Sequence, residues 1–140
     1  MEKREFDQMN NAVITEFRET GGKAGGVFEG KPLVLVHHTG AKSGIERIAP
    51  LVPLLHDGRI YIFASKGGAD THPDWYRNLL AHPDITVEIG SDIFAATARV
   101  LQGDERDGVY AKQVAVEPQF GEYQRKTERV IPVVELVRVS

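Results

Sequence analysis

The sequence predicts an α+β fold in which an antiparallel sheet or barrel is accompanied by a few helices. Three observations support this expectation. Short apolar segments with the two-residue period of half-buried strands recur along the chain, tight turns such as Asp57-Gly58 join neighbouring segments, and helical periodicity is confined to the N-terminal region and to stretches between strands. Because strands joined by tight turns pair in antiparallel fashion, a doubly wound parallel sheet is not expected.

The first predicted element is an amphipathic helix over residues 5–19. Apolar side chains recur there at steps of three and four residues: Phe6, Met9, Val13 and Phe17. Gly21 and Gly22 end the helix, and the stretch from Gly21 to Gly30 contains five glycines in ten residues. So much backbone freedom predicts a flexible loop.

Three strands are predicted after this loop. Residues 33–38 are apolar or β-branched and form the first of them. Residues 45–55 resume the strand pattern, but Pro50 and Pro53 interrupt it. Since proline cannot donate to a strand ladder, this segment must bulge or lie at a sheet edge. A hairpin turn then leads to the returning strand, residues 60–65.

A helix is predicted to follow and to run through Leu80. Asp70 or Thr71 is suited to cap its N-terminus, and Pro73 would lie in its first turn. His82-Pro83 ends it, because a residue that precedes proline avoids helical backbone angles.

The C-terminal part predicts three more strands and two more helices. Residues 85–89 and 93–101 alternate apolar and polar side chains and are joined by a glycine turn. Asp104 is expected to cap the next helix, and a proline separates that helix from a short one near residues 119–127. Residues 132–139 alternate again and form the last strand, which brings the total to about six strands.

The composition is that of one domain spanning residues 1–140. A chain of this length can bury enough apolar surface to fold without a disulfide or a structural metal. It contains no cysteine, which excludes disulfide scaffolds, thiolate metal sites and cysteine nucleophiles. The absence of cysteine fits a cytoplasmic protein best. The net charge of −3 argues against a general nucleic-acid binder. Apolar runs are far shorter than the roughly 20 residues that span a bilayer, so no integral membrane segment is expected.

The histidines and carboxylates show no catalytic or metal-binding spacing. The five histidines contain no HxH or HxxxH pair, so a metal site is not expected. No Ser–His–Asp order and no acidic pair stands out, which leaves hydrolysis without candidate machinery. Redox chemistry would have to come from a bound cofactor.

Two glycine-containing turns with a lysine are candidate anion sites. The first, residues 39–47 (TGAKSGIER), places Lys42 and Arg47 around a tight turn, where successive backbone N–H groups converge. The second, residues 65–70 (SKGGAD), carries Lys66 between a strand end and the predicted helix. Each turn alone could be a solubilising connection, but the pair favours an anionic ligand. Residues 20–72 also carry two more basic than acidic residues, although the whole chain is acidic.

The order of these motifs resembles the deazaflavin-dependent nitroreductase family. The matching segments are GGKxGGxFEG, TGxKSGxxRxxPL, a DG hairpin and ASKGGADxHPxWYxNL, and they run from about Phe17 to Pro132. The resemblance implies a split β-barrel, similar to the FMN-binding flavin-reductase barrels, with an N-terminal helix and peripheral helices. It also implies an oxidoreductase that binds coenzyme F-420 and transfers hydride from its reduced form to a planar acceptor such as a quinone or a nitroaromatic compound.

The resemblance carries a set of cofactor contacts onto this chain. The phosphodiester and polyglutamate tail of this coenzyme need a basic groove, which Lys42, Arg47 and Lys66 would supply, with Lys42 and Arg47 at the phosphate end. The N-terminal helix and the glycine-rich loop would fold over the tail. The implied contacts, which include a segment beside the deazaflavin ring, are Lys42, Ser43, Arg47, Pro50, Leu51, Val52, Ser65, Lys66, Gly67, Gly68, Ala69, Trp75 and Tyr76.

The resemblance implies few ionisable catalytic residues, because a deazaflavin is itself a two-electron hydride donor. Ser65, near the reactive ring, would donate a hydrogen bond to the oxyanion that develops on the acceptor, and Tyr123 would do likewise or deliver a proton. Glu117 would join Phe120 and Tyr123 in one stripe if a single helix ran across Pro118. The acceptor pocket would be lined by Val52, Glu117, Phe120 and Tyr123.

Two departures from the family pattern modify these expectations. Ala41 stands before the motif lysine, where relatives often have arginine. One phosphate contact should therefore be missing, which would weaken cofactor binding by about 1.5 to 3 kcal/mol. Glu117 and Phe120 occupy positions that hold tyrosines in nitroimidazole-activating relatives, and Val52 stands where an aromatic residue can occur. A quinone is therefore favoured over a nitroimidazole as acceptor.

Two alternatives stay open at the level of the sequence. One is an FMN- or heme-binding split barrel that does not use this coenzyme, since barrel relatives bind several planar ligands. The other is a non-catalytic module that stores or shields the deazaflavin or a lipid-like anion. Split barrels often pair, so a homodimer is expected. The location is expected to be cytoplasmic, with peripheral attachment to the inner face of the plasma membrane left open.

Overall fold

The computed structural model of the chain describes residues 3–25, 28 and 30–139. These residues form seven strands and four helices, with a short 3-10 turn over Lys66–Gly68. In chain order the elements are α1 (Lys3–Thr20), β1 (Val34–Thr39), β2 (Glu46–Leu51), β3 (Leu54–His56), β4 (Arg59–Phe63), α2 (Asp74–Ala81), β5 (Asp84–Ile89), β6 (Asp92–Val100), α3 (Gly103–Val116), α4 (Gln119–Arg125) and β7 (Val133–Arg138).

The strands form one antiparallel sheet in the order β2-β1-β5-β6-β7-β4-β3. Its two edge strands, β2 and β3, are joined by only Val52 and Pro53. In a flat sheet these edges would lie about 29 Å apart, whereas the chain from Leu51 to Leu54 spans at most about 11 Å. The sheet must therefore curl until its edges approach each other, as in a split barrel. The predicted α+β antiparallel architecture is confirmed.

The prediction of one interrupted strand over residues 45–55 is half right. Both prolines belong to edge segments, as expected, and Pro50 lies in β2 opposite Leu35. The segment does not bulge within one strand, however, but divides into β2 and β3 at opposite edges of the sheet. This division accounts for seven strands where about six were predicted.

Three apolar clusters hold the helices on the curled sheet. Inside the curl, Trp75 and Leu79 of α2 pack among inward side chains of six strands. On the outer face, Ile14 and Phe17 of α1 pack on Leu35 of β1. A third cluster brings the outer face of β4 and β7 against α3 and α4: Leu54, Tyr61, Phe63, Leu101, Val109, Tyr110, Ile131 and Val133, with Val114, Phe120 and Tyr123 at its rim.

The end of α1 explains two of the glycines that follow it. Gly21 has a positive φ of 72°, and the N–H of Gly22 donates to the Phe17 carbonyl over 2.8 Å, which is a Schellman ending. A Cβ on Gly22 would lie 2.6 Å from the Cα of Gly90, so the helix end rests on the β5–β6 turn. The flexible loop predicted from Gly21 thus begins as an ordered helix ending. Residues 26, 27 and 29 of that prediction lie outside the described residues.

The two predicted N-caps are wrong. Helix α2 starts at Asp74, after Pro73 with extended backbone angles, so neither Asp70 nor Thr71 caps it. Helix α3 starts at Gly103 after Gln102, and Asp104 lies inside its first turn. A carboxylate in the first turn still interacts favourably with the helix dipole. The end of α2 at His82 and the break before α4 at Pro118 are as predicted.

A buried carboxylate ties α1 to the sheet. Glu88 of β5 is 4% exposed and accepts two hydrogen bonds from the Arg18 guanidinium, over 3.1 and 2.8 Å. The Nε2 atom of His37 lies 2.6 Å from the same carboxylate, and its Nδ1 atom lies 2.9 Å from Glu46 of β2. The hydrogen bonds from Arg18 hold the pKa of Glu88 below its usual value, against the opposing effect of burial.

Glu88→Gln is expected to lower the free energy of unfolding at pH 7 by about 1 to 3 kcal/mol, because the charged hydrogen bonds are lost. The pKa of Glu88 is lower in the folded state. Its contribution is therefore complete above the unfolded value of about 4.3 and disappears as the pH falls through the lower folded value. Denaturant titrations at pH 7 and near pH 3 should show the difference between wild type and variant shrinking in acid.

Glu105→Gln is the control, since Glu105 pairs with Arg99 over 2.8 Å at the surface. It should cause a smaller loss at pH 7. A Glu88→Gln loss that is no larger than this, or that does not shrink at low pH, would contradict the role given to Glu88.

No helix among the described residues has the length and apolarity needed to cross a bilayer.

Candidate functional site

The first lysine turn joins β1 to β2 and is closed by its own backbone. Gly40 donates its N–H to the Ile45 carbonyl over 2.9 Å, and Gly44 donates to the Gly40 carbonyl over 3.0 Å. Lys42, Ser43 and Arg47 are exposed. The turn and the start of β2 therefore present two cationic side chains to solvent, as an anion site at a surface requires.

A buried asparagine holds this turn against α2. The Oδ1 atom of Asn78 accepts from the N–H of Ala41 over 2.9 Å, and its amide nitrogen lies 2.9 Å from Nδ1 of His38. Burial, with a smaller contribution from the charge of Arg47, lowers the pKa of His38. A neutral imidazole can then accept the amide hydrogen bond. Asn78 and His38 were not among the predicted residues, although Asn78 stands between apolar helix positions in the WYxNL segment.

The second lysine turn, Ser65–Ala69, has an unusual backbone. Ser65 is in the right-handed helical region, whereas Lys66, Gly67 and Gly68 have φ values of 46°, 64° and 86°. A right-handed residue followed by a left-handed one directs successive N–H groups into a shared concavity that suits an anion. A lysine in this region stores about 1 to 2 kcal/mol of strain, which is typical of functional turns. The Lys66 ammonium donates to the Thr71 hydroxyl over 3.2 Å.

The turn is clamped from behind by Arg129, which the sequence did not single out. Its guanidinium donates to the carbonyls of Ser65 and Ala69 over 2.9 and 2.8 Å, and to the carbonyl of Ala64 over 3.1 Å. The Nδ1 atom of His72 lies 3.0 Å from the same guanidinium. The only sequence signal was an arginine in the segment before the last strand, which is not specific.

Helix α4 lies directly against this turn. A Cβ on Gly68 would be 2.9 Å from the carbonyl oxygen of Tyr123 and 3.0 Å from its Cα. The structure thus brings the second lysine turn, including Ser65, together with the helix that carries Phe120 and Tyr123. These residues are more than fifty positions apart in the sequence and were predicted for the same site.

The aromatic residues of α4 are half-buried. The ring of Phe120 packs edge-on against Phe63 at 5.6 Å and against Tyr123 at 5.1 Å between centroids. The hydroxyl of Tyr110 donates to the Phe120 carbonyl over 2.6 Å. Phe120 therefore belongs partly to the outer core, and the rest of its ring is open beside Tyr123.

A continuous helix across Pro118, which would have put Glu117 in one stripe with Phe120 and Tyr123, does not form. Helix α3 ends at Val116, because proline has no N–H to donate and favours a new start. Glu117 instead lies 3.3 Å from the Lys31 ammonium and accepts from Gln119 over 2.8 Å. The Gln119 hydrogen bond, followed by that of Lys31, lowers the pKa of Glu117.

The remaining predicted contacts differ in how much surface they offer. Trp75 is buried inside the curled sheet, whereas Tyr76 is half-buried and its ring lies 4.9 Å from that of His72. Burial raises the pKa of Tyr76. The segment from Pro50 to Val52 is half-buried where the two sheet edges approach.

Two clefts of about 330 and 290 Å³ lie elsewhere on the sheet. The first is lined by His37, Glu46 and residues of β5 and β6, and the second by Gly58 and residues of β4 to β7. None of the predicted cofactor residues lines either cleft. Within the described part of the chain, no three histidines or carboxylates converge as a metal site would require.

Residues 9–138 match the family model described as F-420H(2)-dependent quinone reductase. An F-420H(2)-dependent quinone reductase of Mycobacterium tuberculosis is 39% identical over 127 residues, which cover 87% of this chain and 85% of the relative. A solved F-420-H2 dependent reductase is 42% identical with a TM-score of 0.68, covering 75% of this chain and 93% of its own. A solved domain-swapped dimer is 36% identical with a TM-score of 0.71, covering 94% and 98%.

More distant structures share the fold. The heme storage protein HutZ from Vibrio cholerae is 14% identical with a TM-score of 0.57 over 94% of this chain and 91% of its own. This likeness supports the split-barrel architecture alone, because proteins of one fold bind different ligands.

Proposed function

Because this chain belongs to the F-420H(2)-dependent quinone reductase family, we propose that it transfers a hydride from reduced coenzyme F-420 to a quinone at the surface between its two lysine turns and α4. The proposed location of the site rests on one observation, the contact of Gly68 with the backbone of Tyr123. It joins a turn suited to an anion with the half-buried aromatic residues suited to a planar acceptor.

The donor set fits the chemistry of the coenzyme. Its tail is anionic, and Lys42 and Lys66 are exposed cations on two turns that both adjoin α2, while Arg47 is exposed in β2 just after the first turn. The N–H groups of Gly68 and Ala69 donate to the carbonyls of Ser65 and Lys66 within the turn, so those of Ser65 and Lys66 are the ones that add neutral donors to the charged ones. We assign the cofactor contacts to Lys42, Ser43, Arg47, Pro50, Leu51, Val52, Ser65, Lys66, Gly67, Gly68, Ala69 and Tyr76, with Trp75 supporting Tyr76 from the core.

Bound reduced coenzyme would supply the hydride, so the chain itself mainly orients the two reactants and excludes water. Ser65 stands at the start of the strained turn, where its hydroxyl can donate to oxygen on an acceptor. Tyr123 offers a second hydroxyl from the adjoining helix. We propose these two groups as the catalytic residues that stabilise the developing negative charge on the quinone.

We propose Val52, Glu117, Phe120 and Tyr123, all half-buried, as the lining of the acceptor pocket. The ion pair of Glu117 with Lys31 connects the end of the glycine-rich segment to this proposed lining. Phe120 offers an apolar edge, which suits the hydrocarbon part of a quinone ring better than a polar nitroimidazole.

The direct test is to titrate the purified protein with oxidised F-420 and then to follow reduction of menadione by the reduced coenzyme. Binding at micromolar concentration and turnover are expected. Absence of binding at millimolar coenzyme would refute the proposal. A purified protein that is yellow or red would favour an FMN- or heme-binding barrel, and binding without turnover of any quinone would favour a non-catalytic storage module.

Phe120→Tyr is expected to change the ratio of kcat/KM for menadione to that for a nitroimidazole by about fivefold or more, while the coenzyme Kd changes less than twofold. The added hydroxyl would lie beside Tyr123 and could hydrogen-bond a nitro group, and each such bond contributes about 1 kcal/mol. Steady-state kinetics with both acceptors measure this ratio. A larger effect on coenzyme affinity than on acceptor preference would place Phe120 on the cofactor side.

We also propose that the chain forms a homodimer, on the ground that a relative of 36% identity has been solved as a domain-swapped dimer. Light scattering on the purified protein distinguishes a monomer of 15.5 kDa from a dimer. The cytoplasmic location expected from the sequence is likewise a prediction. Cell fractionation tests it by measuring how much of the protein is in the cytosolic fraction and how much is in the membrane fraction.

A further inference from the structure

We propose that Arg129 is a positioning residue for coenzyme binding, because its guanidinium holds the Ser65–Ala69 turn in the one backbone orientation that presents N–H groups to an anion. This inference rests on the proposed function. Arg129 lies between α4 and β7 and itself need not touch the ligand.

The contacts of Arg129 bracket the turn. Its guanidinium bonds the carbonyl of Ala64 just before the turn, that of Ser65 at its start and that of Ala69 at its end. The planar guanidinium offers five N–H donors in a rigid fork, so one side chain can hold three carbonyls at fixed relative positions. A lysine ammonium at the same place could not match this arrangement.

The direction of these bonds determines where the opposite peptide groups point. In a trans peptide, the carbonyl of one residue and the N–H of the next point in opposite directions. When the carbonyls of Ala64 and Ser65 point toward Arg129, the N–H groups of Ser65 and Lys66 must therefore point away from it. The left-handed φ of Lys66 bends the chain so that these donors share one concave side.

The backbone around Arg129 is itself fixed from α4. The Arg129 N–H donates to the Thr127 hydroxyl over 3.3 Å, and its carbonyl accepts from the Gln124 amide over 2.7 Å. Gln124 lies one residue after Tyr123 in the same helix. The position of the anion turn is thus coupled to the helix that carries the proposed acceptor side of the site.

Arg106 provides a matched control. Its guanidinium is also largely buried, and it donates to the carbonyl of Ile131 over 3.1 and 2.8 Å and to Gln124 over 2.8 Å. It supports the same segment but has no hydrogen bond to the Ser65–Ala69 turn. Loss of Arg106 should lower stability without altering the turn.

The experiment compares Arg129→Ala, Arg129→Lys and Arg106→Ala by thermal unfolding and by fluorescence titration with oxidised F-420. Arg129→Ala is expected to raise the coenzyme Kd about tenfold or more, and Arg129→Lys to recover only part of this. Millimolar methylguanidine should lower the Kd of Arg129→Ala again. Arg106→Ala should keep the Kd within about twofold of wild type while lowering the unfolding temperature.

The outcomes separate the two proposals. If wild type does not bind the coenzyme, the proposed function fails and this inference fails with it. If wild type binds the coenzyme and both Arg129 variants bind it as tightly as wild type does, only this inference is overturned. An equal rise in Kd for Arg106→Ala, or no response of Arg129→Ala to methylguanidine, would reduce Arg129 to a general stabilising residue. Should Arg129→Ala not fold, the other two variants decide. A higher coenzyme Kd for Arg129→Lys than for Arg106→Ala supports the inference, and equal Kd values overturn it.

Discussion

Replacing either Lys42 or Lys66 by alanine is expected to raise the Kd for oxidised F-420 about tenfold or more, and replacing both about a hundredfold. A charged hydrogen bond contributes about 1.5 to 3 kcal/mol, and each 1.4 kcal/mol corresponds to a factor of ten. The two side chains belong to separate turns, so their effects should add. Fluorescence titration of single and double variants at one ionic strength measures this.

Folding should be almost unaffected by these changes, because both lysines are exposed. The control is Lys112→Ala, an exposed lysine of α3 that is not part of either turn. It should leave the Kd unchanged. The affinity of wild type should also fall with added salt, and fall less steeply in the double variant. Equal affinities in all three single variants would show that the two turns are only connections between elements.

Gly68→Ala is expected to lower the free energy of unfolding by about 2 to 5 kcal/mol. The new Cβ would lie 2.9 Å from the Tyr123 carbonyl oxygen and 3.0 Å from its Cα, both backbone atoms of α4. The substitution therefore combines the cost of a left-handed φ, about 1 to 2 kcal/mol, with that of overpacking, about 1 to 3 kcal/mol. Denaturant titration measures the loss, and α4 displaced from the turn should also weaken coenzyme binding.

Gly67→Ala separates these two contributions within the same turn. Gly67 has a similar positive φ of 64°, but a Cβ there would meet nothing within 4 Å. It should cost only about 1 to 2 kcal/mol. Equal losses for the two variants would contradict the close packing of the turn on α4, since only Gly68 makes that contact.

Much of the fold could be read from local patterns. The helix over Lys3–Thr20, the hairpin at Asp57-Gly58 and the alternating strands of β5, β6 and β7 follow from periods of 3.6 and 2 residues and from turn chemistry. The two predicted N-caps were wrong because Asp and Thr also occur in turns, in extended segments and within the first turn of a helix, where they do not cap it. Whether such a residue caps a helix depends on where along the chain the helical backbone begins.

The candidate site also has parts that the sequence predicts and parts that it does not. The lysine turns were visible because glycine and lysine stand together in short segments. Asn78 and Arg129 were missed because their partners lie 37 and 60 to 65 positions away in the chain. The hydrogen bonds by which they hold the two turns are made with backbone atoms, which every residue carries, so no residue type at those partner positions reveals them.

Local patterns were enough to predict the order and type of most elements and the chemistry that two of the turns can offer, because these depend on residues within a few positions of one another. The packed fold decided that residues 45–55 divide between the two edges of one curled sheet. It also decided that Gly68 lies against Tyr123 and that Arg129 holds three carbonyls around the same turn. The physical reason is that sheet closure and side-chain reach join segments that share no local pattern, and the packing of the whole core selects which of them meet.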